Sequence, residues 1–345
     1  MKKLFLIFIL YVFIYCSNHD SNKEDSEILS NIKYCSSTRL LKIEDTLRIT
    51  YSVPDSLSNY NIEFFCSSGD IVEQNDSSIL YKAPAKPDSV FIIGYGIDEN
   101  QDTVLYGRFK VLVYKQIIML KGDEFDSDKW YWQWDPFLNF IKLEKIPVNI
   151  GIVGKSLDAP NIMYINYLKD LLKTGLVEFW NHGYNHVLMA ERDDGSVYCE
   201  FKNTSVEYQI EHMRRTNTLI KEWLGIDVIA FGAPGNKIDE NTIIAVDSIE
   251  QFKIWLYGFQ QSKKIVLKRT ANIEFPVFYP DFDKFLEEYS ENYDYIVYQI
   301  HPMKYDEKRM EVIKKILLYL KNKEVTFLKL SDYYYLSHPQ IDFEE

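Results

Sequence analysis

Several absences narrow what this chain does. It has no Cys-x-x-Cys pair, and its four cysteines, Cys16, Cys35, Cys66 and Cys199, lie far apart. Thiolate zinc sites and thiol redox motifs need cysteines paired at short spacing, so both are disfavoured. No block of Lys and Arg interrupts a formal net charge of −12 over 345 residues. The basic face that neutralises phosphates is therefore missing, which argues against a nucleic-acid partner and against attraction to an anionic membrane surface. The apolar run Leu4 to Tyr15 falls short of the ~20 residues of a spanning helix. No internal repeat is present. What the chain does have is 46% hydrophobic and 15% aromatic residues, a composition that folds, and a length that suits two domains of ~100–200 residues.

Met1-Lys2-Lys3, the apolar run behind it and Cys16 make a targeting segment. It resembles a bacterial lipoprotein leader, which implies a signal peptide over residues 1–15, then a lipidated Cys16 with a flexible acidic tether over 16–29. Tyr15 is bulkier than the small residue usual before such a cysteine, so a plain secretory leader cut nearby is the other reading. Loss of Lys2 and Lys3 takes the charge from −12 to −14 (−12 minus 2). Lys23-Glu24-Asp25 is similar to the surface-export signals of Bacteroidetes lipoproteins, implying a lipid-anchored place in the bacterial cell envelope, at the outer membrane or cell surface. Mature lipoproteins carry several acyl chains, enough for firm anchoring. In that compartment Cys35 and Cys66 either pair as a disulfide or remain buried thiols.

Residues 30–114 read as all-β. Leu47, Ile49, Tyr51 and Val53 alternate with polar residues, as do Phe109, Val111 and Val113, and turn-like stretches such as Ser67-Ser68-Gly69-Asp70 separate short apolar runs. This spacing predicts an immunoglobulin-like sandwich, with a spacer role preferred over glycan binding. From residue 115 to 345 strands and helices alternate. Ile146 to Val153 is strand-like, Ile162 to Thr174 and Val206 to Leu224 have helical apolar spacing, and Met310, Ile313, Ile316, Leu317 and Leu320 mark a further helix. Repeated β-α order implies a parallel sheet.

In this second half, polar clusters close strand-like runs. Asp123-Glu124 follows Ile117 to Leu120, with Asp126 a rival carboxylate. His182 and His186 follow Val177 to Trp180, four residues apart, a spacing at which both rings face one way and hold one divalent metal. Pro234-Gly235 follows Ile229-Ala230, and His301 follows Tyr295 to Ile300. Parallel α/β folds place active sites at strand carboxyl ends.

The order of these clusters resembles the polysaccharide deacetylase (NodB-like, carbohydrate esterase) family over roughly residues 115 to 335. The resemblance implies an α/β distorted (β/α) barrel after the sandwich. It also implies Asp123 as catalytic base, a metal held by Glu124, His182 and His186, and His301 as general acid. Pro234 and Gly235 would shape the substrate groove. Three departures stand out. Glu124 replaces an aspartate, Gly232 stands where the family has an arginine tethering the catalytic aspartate, and Gln299 stands where an apolar residue lines the acetyl pocket. No Asp-x-x-Asp-Trp segment is found; Trp255 is the nearest candidate and reads as a strand residue.

These residues imply metal-assisted hydrolysis, with zinc first and cobalt or nickel next as the divalent ion. The implied reaction is removal of N- or O-acetyl groups from a carbohydrate. Trp130 and Trp132 form an aromatic face on which sugar rings could stack. The other function class is a surface lipoprotein that keeps the fold without turnover and binds glycans or scaffolds.

Overall fold

The computed structural model describes residues 13–18, 38–53, 58–125 and 130–338. It divides into two units, residues 1–115 with 335–345, and residues 116–334. The leader and tether lie outside the described residues except Phe13–Asn18, as do Cys35 and Asp126. Among the described residues no helix is long and apolar enough to cross a membrane.

The first unit contains two four-stranded sheets. In one, β1 (Phe13–Asn18), β3 (Thr46–Ser52), β6 (Ser78–Lys82) and β5 (Asp70–Gln74) lie side by side and antiparallel. In the other, β2 (Thr38–Lys42) pairs parallel with β8 (Thr103–Tyr114), followed by β7 (Asp88–Ile97) and β4 (Asn61–Cys66). The period-2 pattern explains the core. Leu47, Ile49, Ile79 and Tyr81 from one sheet cluster with Ile62, Val90, Ile92, Phe109 and Val111 from the other. Cys66 and Cys199 are free thiols.

The second unit is built on an eight-stranded sheet whose ladders are all parallel. Its strands are β9 (Ile117–Phe125), β10 (Val148–Ile152), β11 (Val177–Asn181), β14 (Ala230–Phe231), β15 (Ile254–Leu256), β16 (Ile265–Leu267), β17 (Tyr295–Ile300) and β18 (Thr326–Phe327). The order is β16-β15-β14-β11-β10-β9-β17, with β18 pairing the start of β9. Among the described residues no ladder joins β16 to β17, so the sheet is a half-barrel and not a closed ring. Its margins approach all the same, since the Tyr257 hydroxyl, just after β15, donates to Val297 O of β17 at 2.7 Å.

Helices α1 (Asp135–Glu144), α2 (Ile162–Lys173), α3 (Val206–Leu224), α4 (Glu240–Asp247), α5 (Phe282–Glu288) and α6 (Glu307–Asn322) alternate with the strands, and α7 (Leu330–Ser337) follows β18. A short hairpin, β12 (Ala190–Glu191) with β13 (Val197–Tyr198), precedes α3. Caps set the helix limits: Ser205 accepts from Tyr208 N at the start of α3, and Gly225, with φ 74°, ends it. Ile118 and Leu120 of β9, Val148, Ile150 and Ile152 of β10 and Ile296, Tyr298 and Ile300 of β17 join helix residues such as Ile165, Met213 and Ile316 in one core. Each such side chain contributes about 1.5–3 kcal/mol when fully buried. The intervening residues Lys121, Asp123, Gln299 and His301 alternate onto the opposite, inner face of the sheet.

Candidate functional site

Strand register puts the polar clusters on one level. Gly122 pairs with Ile150 and Ile300, Ile152 with Asn181, and Asn181 with Phe231. Residues 123–124, 182, 232 and 301 therefore all leave the same end of the sheet. A regular strand would send Asp123 and Glu124 to opposite faces. It does not here, because the β9–β10 register shifts between Ile150 and Ile152, and Glu124 takes a left-handed conformation with φ 65°. This bulge re-aims the second carboxylate towards the site. Asp123 Oδ2 then lies 4.0 Å from His182 Nε2, and Glu124 Oε1 lies 4.0 Å from His186 Nε2.

The histidine loop is held from beneath. Asn181, buried at the end of β11, accepts from Gly183 N and donates to Met213 O and Asn217 Oδ1 of α3. Buried Glu200 accepts from Tyr184 N (2.5 Å), Asn185 N (3.2 Å) and His186 N (2.7 Å), and from His212 Nδ1 at 2.8 Å. Gly183 has φ +76°, and a Cβ there would meet the Glu200 carboxylate at 2.8 Å, so the turn needs glycine. His186 carries φ 56° without that freedom, the kind of local strain that surrounding bonds must hold in place.

The two rings lie 5.1 Å apart, centroid to centroid. His182 Nδ1 donates to Gly232 O at 2.8 Å, which leaves Nε2 as the bare acceptor. Burial, ahead of the proximity of His186 and Lys121 and against the pull of Asp123, lowers the His182 pKa to about 3, so the ring is neutral. The Nε2 atoms of both His182 and His186 are buried without a hydrogen-bond partner. An orphaned imidazole nitrogen with its other nitrogen fixed by a carbonyl is the donor state a metal takes.

Asp123 sits at the centre. Lys121 Nζ reaches its two oxygens at 2.5 and 2.6 Å, and Gln299 Nε2 donates to Oδ2 at 2.8 Å. Burial opposes ionisation of Asp123, but Lys121, then His182 and His301, outweigh it and hold the carboxyl below its usual range. His301 Nε2 stands 4.0 Å from Asp123 Oδ2. His301 Nδ1 donates to Glu274 Oε2 at 2.7 Å, and Glu274 also accepts from His301 N and from the Tyr305 hydroxyl at 2.5 Å. Burial would push the His301 imidazole down; the bond to Glu274 and the charge of Asp123 prevail and raise it.

Asp123, Glu124, His182, His186 and His301 thus meet in one place. Among the described residues, however, no group of three or more His, Cys, Asp or Glu side chains stands at metal-holding distances. The two histidines offer free donors, and each faces a different carboxylate. Pro234 and Gly235 form a tight turn, Pro234 buried and Gly235 exposed, and the next residue, Asn236, donates to Gln299 Oε1 at 3.2 Å. Trp130 and Trp132 are about half exposed, 5.5 Å apart, on a turn that packs beside Pro302–Lys304, the segment following His301. Trp255 is a buried residue of β15.

Lys121, Glu200 and Glu274 are site residues that sequence reasoning missed, and Gln299, noted there only as a departure, donates to Asp123 Oδ2. A lysine two residues before the key aspartate, on the same strand face, was a readable signal. Nothing in the local sequence marks Glu200 or Glu274, whose partners at the site lie 12–16 and 27–31 residues away.

No protein-family model matches this sequence, and no curated protein matches it. Solved structures do show likeness. One is the Xyl-CE4 domain of a multidomain xylanase from the hindgut metagenome of Trinervitermes trinervoides, at 14% identity over 66% of this chain and 95% of that one, TM-score 0.45. A family 4 acetyl xylan esterase from Clostridium thermocellum, in complex with a cobalt ion, shares 13% over 64% and 91%, TM-score 0.47. A peptidoglycan deacetylase from Bacillus subtilis shares 15% over 64% and 91%, TM-score 0.44.

Proposed function

We propose that the second unit is a metal-dependent hydrolase that removes acetyl groups from a carbohydrate. One observation carries the reading: a buried and a half-buried imidazole present buried, unpartnered Nε2 atoms to two adjacent carboxylates, with a third imidazole 4.0 Å from one of them. His182 and His186, with Glu124, are the residues that would hold the cation, zinc first and cobalt or nickel next. The bound cation supplies Lewis-acid activation of water and of the substrate carbonyl.

This chain's residues do the rest. Asp123, kept ionised by Lys121 and by the protonated His301, accepts a proton from the attacking water. His301, oriented and kept protonated by Glu274, gives a proton to the departing amine or alcohol. Trp130 and Trp132 offer exposed faces for a sugar ring, and the Pro234-Gly235 turn borders the groove. The same proposal places the protein in the bacterial envelope on a lipidated Cys16, with the first unit as an immunoglobulin-like spacer.

Purified protein is assayed for bound metal and for acetate release from acetylated oligosaccharides. Metal and turnover that both vanish in His182→Ala support the hydrolase. Full metal occupancy without turnover on a broad panel of acetylated glycans overturns it in favour of a binding role.

A further inference from the structure

Lys121 is fully buried, with a solvent-inaccessible ammonium on the inner face of β9, two residues before Asp123. Its Nζ straddles both carboxylate oxygens at 2.5 and 2.6 Å, and the rings of Trp180 and Tyr257 flank it at 4.8 and 5.1 Å. A buried ammonium is costly unless it is paired, and this one is committed to a single partner. No cation can come from position 232: a Cβ there would meet Trp180 at 2.8 Å, so Trp180 fills the space a longer side chain would use.

The bulge creates a difficulty that Lys121 resolves. It leaves two neighbouring carboxylates equally placed, each 4.0 Å from a free imidazole nitrogen. A divalent cation attracts both, and if Asp123 swings in as a ligand it no longer takes a proton from water. We infer that Lys121 is a positioning residue that divides the labour of the pair. By holding both oxygens of Asp123 it keeps that carboxylate out of the coordination shell, and Glu124 is left as the ligand. The inference rests on reading Asp123 as the base.

The test is titration of metal-free wild type and Lys121→Met with cobalt(II) alone, followed by visible absorption, alongside steady-state kinetics on an acetylated oligosaccharide. With the ammonium gone, Asp123 joins the ligands. Cobalt affinity then rises by roughly tenfold or more, the absorption bands shift, and kcat falls by about 100-fold with KM within about threefold. Adding Asp123→Asn to Lys121→Met removes the extra affinity and restores the wild-type bands. Unchanged bands and affinity, or a kcat within about threefold of wild type, overturn the inference while leaving the hydrolase reading intact. A wild type that neither binds cobalt nor turns over overturns both. If Lys121→Met does not fold, Lys121→Gln, which keeps amide donors without the charge, takes its place with the same expected shifts. Failure of both to fold makes the lysine purely structural and overturns the inference.

Discussion

Replacing Glu200 with alanine removes one carboxylate and strands the whole histidine loop. The side chain accepts from the backbone N–H groups of Tyr184, Asn185 and His186 and from His212 Nδ1, and it is fully buried. A buried donor without an acceptor costs about 1–3 kcal/mol, and these three backbone donors are partly reachable by water, so the sum falls at about 3–5 kcal/mol. A unit of this size loses about 2–4 °C of melting temperature per kcal/mol, so the midpoint drops by roughly 10 °C. Glu200→Gln separates hydrogen bonding from packing. Its oxygen still serves Tyr184 and Asn185, but its NH2 then faces His186 N, donor against donor, at a cost of about 2 kcal/mol. Thermal denaturation ranks the variants, and metal titration reports the histidines, with both variants expected to bind metal more weakly than wild type. A Glu200→Ala protein within about 1 kcal/mol of wild type with unchanged metal affinity would refute the idea that this carboxylate builds the loop.

Three further outcomes follow from the same geometry. Gly232→Ala drives a Cβ to 2.8 Å from Trp180 and displaces the carbonyl that His182 bonds; denaturation should show a loss of about 1–3 kcal/mol, and a neutral result would mean Trp180 moves freely. In Glu274→Gln the group that raises His301 is gone. Because the rate needs protonated His301, activity declines as pH rises through the His301 pKa, and the variant's alkaline limb moves to lower pH. A pH–rate profile with an unmoved limb would exclude His301 as the acid. Glu178 concerns stability alone: burial raises its pKa, against the bonds from Ser331. The folded state holds this proton more tightly than the unfolded one, so wild type loses stability as pH climbs above about 4.5. Glu178→Gln lacks that loss, and its stability relative to wild type should grow with pH over that window in urea titrations; a constant difference would count against it.

Much of the second unit was legible because parallel strands buried on both faces read as continuous apolar runs. Helix α3 spans Val206–Leu224, as its periodicity predicts. The candidate site was legible too, since each polar cluster closes a strand and the register of parallel ladders aligns those ends. The half-barrel is consistent with the distorted (β/α) barrel expected from the sequence, although β14 and β18 are only two residues long. The bulge at Glu124 was not legible, because it depends on a positive φ at a residue with no preference for one. Glu200 and Glu274 were invisible for a different reason. Their roles arise only when the chain returns from a distance, and a lone glutamate in an irregular segment reads as solvated surface.

The pieces missed by sequence share one logic. His182 is fixed through Nδ1 by Gly232 O, His301 through Nδ1 by Glu274, His186 through its backbone by Glu200, and Asp123 through both oxygens by Lys121. Each of these groups is gripped by a buried partner, and the two histidines of the loop are left bare at Nε2. Such anchoring costs stability, since two residues at positive φ add about 1–3 kcal/mol each and several charges are desolvated. A surface loop with freely solvated side chains would avoid that cost and lose the geometry. The orphaned Nε2 atoms are therefore not a packing defect: the surroundings spend four buried partners on holding the groups still, which makes sense only if the bare sides meet something.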